Sequence, residues 1–266
     1  RAGETTWRQS VDREVLATRG SVGVCDVTTL GKVDVQGTDA AEFLNKIYCN
    51  AFAKLEVGKT RYGLMLREDG IAKDDGTAAR LAEDHFVVTT TTANALPVYR
   101  HMEFVRQCLF PDMDVQLIST TEAWAQYAVA GPNSRKVLEK IVDQDISNEA
   151  FPFMACANIT ICGGLRARLF RISFSGELAY EIAVPTAYGD ALIRKIMEAG
   201  AEYDITPYGT EALGVMRIEK GHAAGNELNG TTTAQNLGMG RMVSKKKDSI
   251  GSILSEREGL NRDDDL

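Results

Sequence analysis

Arg67-Glu68-Asp69-Gly70-Ile71-Ala72-Lys73-Asp74-Asp75-Gly76-Thr77 carries two adjacent carboxylates just beyond an Asp-Gly step. Asp69-Gly70 is a turn signal, and the runs on either side, Tyr62–Leu66 and Thr77–Leu81, read as extended. The stretch is therefore predicted to be a β-hairpin with Asp74 and Asp75 at its mouth. Taken alone, an acidic pair in that position reads as a solvated turn. The motifs that surround it further along the chain give it a second reading.

A chain of 266 residues can bury a large core, as one intertwined domain or two. With 44% apolar and 25% charged residues, it has the make-up of a globular protein and is not expected to be disordered throughout. Thirty Lys and Arg against 37 Asp and Glu leave a net charge of −7, which offers no general attraction to nucleic acid or to an anionic membrane. An anionic ligand must then be held by local cations. The five cysteines are scattered and form no Cys-x-x-Cys, so neither a zinc knuckle nor a redox dithiol is signalled and a reducing, cytoplasmic setting is expected. No apolar run reaches the roughly 18 residues of a membrane span, and the first residues are polar, unlike a signal peptide. The chain opens on Arg1, so it is read as a processed chain or part of a longer polypeptide.

Residues 1–20 read as a lead-in segment with one short packed helix, from the spacing of Trp7, Val11, Val15 and Leu16. Lys32-Val33-Asp34-Val35-Gln36 alternates as a strand does, and Thr38 is placed to cap a helix with Phe43, Leu44, Ile47 and Tyr48 on its apolar face. His85–Thr92 is rich in β-branched residues and reads as a strand. From Asn94 the pattern turns helical, with Pro97 in the first turn and Val98, Met102, Val105 and Leu109 facing inward. Strands are expected at Asp114–Ile118 and Trp124–Val129, and a helix from Gly131-Pro132-Asn133-Ser134 carries Val137, Leu138, Ile141 and Val142. Further strands follow at Ile159–Ile161, Arg166–Ile172 and Ile182–Val184. Two helices, Tyr188–Ala199 and Gly209–Lys220, stop at Gly200 and Gly221. This uneven mixture predicts an α+β fold. The charge runs Lys245-Lys246-Lys247-Asp248 and Asp263-Asp264-Asp265 read as solvated linker.

Only His85, His101 and His222 are histidines, and no His-Glu-x-x-His, Gly-x-Ser-x-Gly, Walker or Gly-x-Gly-x-x-Gly motif occurs. No metal site is expected. What remains is carboxylates, aromatics and arginines near turns. Gly23–Val33, Asp39–Leu44, Tyr62, Glu68-Asp69-Gly70, Gly131–Ser134, Phe174–Glu181 and Tyr208–Gly221 together resemble the aminomethyltransferase family, the glycine-cleavage T-protein and its relatives. Within it, Arg61–Gly70, Asp74–Thr77, Phe170–Glu181 and Met216–Leu228 are most similar to the C-terminal half of the α subunit of heterotetrameric sarcosine oxidase. The glycine-cleavage branch usually carries Tyr-Thr-Gly-Glu-x-Gly-Tyr-Glu where this chain has Phe174-Ser175-Gly176-Glu177-Leu178-Ala179-Tyr180-Glu181.

The resemblance implies an aminomethyltransferase-like folate-binding fold over residues 21–244, made of two intertwined α+β subdomains. Residues 245–266 are then a charged linker toward the family's usual C-terminal β-barrel domain, which this chain lacks, and the folate site is expected to be incomplete without it. It also implies tetrahydrofolate as cofactor, to which the iminium-level carbon from sarcosine oxidation is passed, giving 5,10-methylenetetrahydrofolate. FAD, FMN and NAD are expected only in other parts of the full oxidase, whose flavin-bearing β subunit and γ and δ subunits are the implied partners. By the same resemblance Asp75 is the catalytic carboxylate, able to stabilise a cationic carbon and accept a proton. Glu181 pairs with the pterin edge, where adjacent N–H donors suit both oxygens of one carboxylate. Tyr62 and Phe174 line the folate, and Arg217 either neutralises a folate carboxylate or holds Glu219. Lys73 stands where relatives carry an apolar residue, and either lowers the pKa of Asp75 or points into water.

Two other readings compete. A glycine-cleavage aminomethyltransferase would take its carbon from a lipoyl-bound aminomethyl group. A non-catalytic folate-binding accessory protein would carry Lys-Gly-Cys-Tyr-x-Gly-Gln-Glu, where this chain has Lys220-Gly221-His222-Ala223-Ala224-Gly225-Asn226-Glu227.

Overall fold

The computed structural model describes residues 3–260. In chain order the elements are α1 (Trp7–Gly20), β1 (Gly23–Asp26), β2 (Gly31–Gln36), α2 (Ala40–Ile47), β3 (Thr60–Leu66), β4 (Ala72–Ala82), β5 (His85–Thr90), α3 (Ala95–Phe104), β6 (Gln116–Ser119), β7 (Trp124–Ala130), α4 (Ser134–Leu138), β8 (Cys156–Ile161), β9 (Leu165–Phe170), β10 (Ala179–Pro185), α5 (Gly189–Ala199), β11 (Thr206–Pro207) and α6 (Thr210–Lys220). They gather into two units, each built from two separate segments. One comprises Arg1–Thr29 with Glu122–His222, the other Leu30–Thr121 with Ala223–Leu266.

The first unit is a six-stranded sheet in the order β11-β1-β7-β10-β9-β8, antiparallel except where β1 meets β11. Alternation along β10 sends Tyr180, Ile182 and Val184 into a core with Val137, Leu138, Leu192 and Ile196 of α4 and α5. Ala179 falls in a second cluster with Val11 of α1 and Ala212 and Met216 of α6. Helix α1 forms because Thr6 and Gln9 make a reciprocal capping box at its start. It is longer than the short helix expected, and only part of the predicted face is used: Val11 is buried, whereas Trp7 and Leu16 are each 70% exposed.

The second unit is an antiparallel sheet in the order β3-β4-β5-β2-β6. Phe43, Leu44 and Ile47 of α2 are wholly buried against it, each contributing about 1.5–3 kcal/mol. The helix begins at Ala40 behind Asp39, not behind Thr38, because the Thr38 hydroxyl and amide are both engaged by Asp114. Helix α3 buries Val98 and Met102 as expected, but Leu109 is 49% exposed. A single π turn over Val105–Leu109, closed by Phe110 N–H to the Val105 carbonyl at 3.0 Å, inserts extra rotation and carries Leu109 off the apolar face.

Strand β2 is buried on both faces, contrary to the half-exposed alternation read from its sequence. Lys32 and Asp34 lie inside. The lysine ammonium donates to the Leu30 carbonyl at 3.0 Å, and Asp34 accepts from Thr120 and contacts His85 Nε2, each at 3.0 Å. Burying these groups is tolerable because each has such a partner. Within the segment expected to be linker, Lys247 donates its ammonium to the Asn45 and Tyr48 carbonyls, and burial lowers its pKa to about 8. The Asp263–Asp265 run lies outside the described residues.

Candidate functional site

The hairpin is present, and the acidic pair lies inside it, not at its mouth. Asp69 accepts the Ile71 N–H at 3.1 Å, and Gly70 takes φ +88°, which closes the turn between β3 and β4. Asp74 and Asp75 follow within β4, pairing with Met65 and Leu64 of β3. Since neighbours on a strand point to opposite faces, the two carboxylates part company. Both are buried.

Asp75 shares a face with Tyr62, its diagonal neighbour across the β3–β4 ladder, and the Tyr62 hydroxyl donates to Asp75 Oδ2 at 2.7 Å. Burial raises the Asp75 carboxyl above its ordinary value against the opposing pull of the Tyr62 bond, and the charge of Glu227 adds to the rise. Burial also raises the Tyr62 phenol, and the Asp75 charge adds to that. Lys73 does not figure among the influences on Asp75; its charge falls on His101, whose pKa is lowered mainly by burial.

Asp74 faces the other way. Its Oδ1 accepts from Thr91 Oγ1 at 2.8 Å and Asn94 Nδ2 at 3.0 Å, and its Oδ2 from the Thr91 N–H at 3.2 Å, which ties β4 to the start of α3. Burial outweighs these three bonds and lifts the carboxyl to about 6. Gly76 makes the local geometry possible. A Cβ there would stand 2.0 Å from the Thr89 carbonyl oxygen of β5, so only glycine lets the strands approach this closely.

In the first unit, Glu181 occupies a cross-strand row formed by Cys25 of β1, Ala128 of β7, Glu181 of β10 and Phe170 of β9. The row is apolar apart from the carboxylate, which is 9% exposed and accepts a hydrogen bond from the buried Gln126 side chain. Burial pushes the Cys25 thiol up to about 11, with the charges of Asp26 and Glu181 adding. Burial likewise raises the Tyr208 phenol, again with a contribution from Glu181. Gln126 and Cys25 are neighbours of this carboxylate that the sequence did not single out. Strand alternation alone would have placed Gln126 on the same face as Ala128.

Arg217 is buried on α6 and donates to the His222 carbonyl at 3.1 Å. Glu219 is paired with Arg19, which reaches it at 2.5 Å and reaches Glu177 at 2.7 Å. Phe174 is half-buried and stacks on His222, with ring centroids 5.4 Å apart and planes inclined by 21°. Thus Tyr62 and Asp75 meet in one unit, while Glu181, Arg217 and Phe174 belong to the other. Among the described residues there is no group of three or more His, Cys, Asp or Glu that could hold a metal, and no helix long and apolar enough to cross a membrane.

This mixed α/β chain thus holds a half-buried tyrosine bonded to a buried aspartate in a hairpin and a buried glutamate in a second sheet. Residues 2–247 match the GCVT N-terminal domain family, and the chain belongs to it. It is 57% identical over 266 residues to the sarcosine oxidase subunit alpha of Rhizobium meliloti, covering 99% of this chain and 27% of that protein. It is 32% identical to an aminomethyltransferase of Geobacillus, covering 90% of this chain and 64% of that one. Among solved structures, the glycine cleavage system aminomethyltransferase T from Bartonella henselae superposes with a TM-score of 0.80 at 26% identity, over 92% of this chain and 64% of that one. The fold is the aminomethyltransferase fold, as the motifs implied, and the chain spans little more than a quarter of its oxidase relative's length.

Proposed function

We propose that this chain is the folate-dependent one-carbon-transfer part of a sarcosine oxidase α subunit. The observation that carries the reading is the hydrogen bond from half-buried Tyr62 to buried Asp75 in a chain 57% identical to such a subunit. Tetrahydrofolate, when bound, supplies the nitrogens that take up the carbon as 5,10-methylenetetrahydrofolate. Asp75 is the group that accepts the proton released there: Tyr62 holds one of its oxygens in place, and a carboxyl raised by burial retains a proton more readily than an exposed one. Glu181 holds the pterin edge. Its carboxylate is buried among apolar neighbours and oriented by Gln126, so paired N–H donors find a desolvated, fixed acceptor. Phe174 offers a flat face beside His222, and Arg217 a buried cation for a folate carboxylate. The carbon comes from sarcosine oxidised on a flavin-bearing partner subunit, and the assembly operates in the cytoplasm.

The test is calorimetric titration of the chain with folinic acid beside its Glu181→Gln variant. Losing one charged acceptor should weaken binding about 10- to 100-fold. Equal affinity in the two proteins would remove Glu181 from the site. Absence of binding both here and in an intact oxidase assembly would overturn the folate reading.

A further inference from the structure

A cleft of about 310 Å³ in the second unit is lined by Arg67, Lys73, Asn94, Leu228, Asn229 and Pro97, among others. Its cations are not equivalent. Arg67 is already engaged, with one guanidinium nitrogen on Asp69 and the other 3.4 Å from the Gly230 carbonyl. Lys73 is half-buried and forms no ion pair among the described residues. An anion entering the cleft would give this ammonium a counter-ion.

The neighbours define what kind of anion fits. Asn229 accepts from the Thr231 N–H at 3.0 Å, Thr231 Oγ1 at 2.7 Å and Thr232 Oγ1 at 3.1 Å, all at its Oδ1, so its amide is fixed and its NH₂ remains as a donor. Asn94 binds Asp74 Oδ1 and, at 3.4 Å, the Lys73 carbonyl, and so steadies the strand beneath the lysine. One ammonium and one amide suit a single carboxylate. A doubly charged group would meet only one unneutralised cation, with Asp74 and Asp75 next to it in the strand. Burial, and after it the charge of Lys73, lower the His101 pKa and so disfavour a second positive charge there. Ala72, Pro97, Val98 and Leu228 line the rest of the cleft and provide an apolar wall for an organic body.

We propose that this cleft binds an organic monocarboxylate, with Lys73 pairing the carboxylate, Asn229 donating to it and Pro97, Val98 and Leu228 covering its apolar part. The inference does not depend on folate being the cofactor. The ligand is a separate small acid, because the glutamyl end of a folate carries two carboxylates and the cleft offers one unneutralised cation. A protein-observed NMR titration with propionate, p-aminobenzoylglutamate and the neutral propionamide tests it. Binding of propionate, with shifts at Lys73, Asn94 and Asn229, supports the site and assigns it to a free acid. Binding of p-aminobenzoylglutamate, a dicarboxylate, without binding of propionate would overturn it. Lys73→Met should weaken propionate about tenfold or more. Lys73→Gln, which keeps a donor without the charge, serves as the second variant if the first fails to fold. Propionamide binding as well as propionate, carboxylate affinity unchanged in a folded variant, or no carboxylate binding at all would overturn the proposal.

Discussion

Asp74→Asn should change the way stability depends on pH, and the size of the change follows from the strand that buries it. Burial raises the Asp74 carboxyl from 3.8 to about 6, against the pull of Asn94 and Thr91 and with a smaller push from the Asp75 charge. Below about 3.8 the group is protonated in the folded and unfolded chains alike, and its contribution to stability is fully present. Between that value and about 6 the unfolded chain ionises while the folded chain keeps its proton, so stability falls as pH rises, levelling off above about 6. A shift of about two units is worth about 3 kcal/mol. Asparagine has no proton to lose, so the variant should gain on the wild type by about 3 kcal/mol across this window, whatever fixed offset follows from the altered contact with the Thr91 N–H. Titrating groups that do not interact with Asp74 cancel in the difference. Urea unfolding at a series of pH values, followed by far-UV circular dichroism, measures it. Both tryptophans, Trp7 and Trp124, lie in the first unit, so fluorescence would miss the unit that holds Asp74. A wild-type-to-variant difference independent of pH would refute the reasoning, because it would mean that the ionised carboxylate is not penalised by its surroundings.

Three further outcomes follow from the same hairpin. Gly76→Ala places a Cβ 2.0 Å from the Thr89 carbonyl and must push β4 and β5 apart, costing about 1–3 kcal/mol in thermal or urea unfolding; a stability equal to wild type would show that the ladder yields freely. Tyr62→Phe removes the bond that draws the Asp75 pKa down, so the Asp75 carboxyl should titrate higher still, read by carboxyl carbon NMR; an unmoved titration would deny the coupling. In an intact oxidase assembly, Asp75→Ala should release formaldehyde in place of 5,10-methylenetetrahydrofolate, and an unchanged product ratio would strip Asp75 of its proposed role.

Much of this protein was legible from local pattern. The hairpin around Asp69-Gly70, the apolar face of α2 and the glycine stops of α5 and α6 follow from turn chemistry and periodicity, which act over a few residues. Motif resemblance added the family. Missed were β1, a four-residue strand with no alternation to display, and β11, two residues that register only through pairing with β1. The exposure of Leu109 was hidden because one π turn shifts the helical phase without leaving a mark in composition.

The sequence by itself determined that Asp74 and Asp75 are adjacent, that a turn precedes them and that the chain mixes strands with helices, because these depend on neighbouring residues. Only the tertiary structure decided that the two carboxylates are buried on opposite faces, that Tyr62 belongs to one and Thr91 with Asn94 to the other, and that Gln126 belongs to Glu181. Those partners are 13, 17, 20 and 55 residues away along the chain. Burial and hydrogen bonding set the chemistry of a carboxylate, and both come from the residues that strand pairing and packing bring against it.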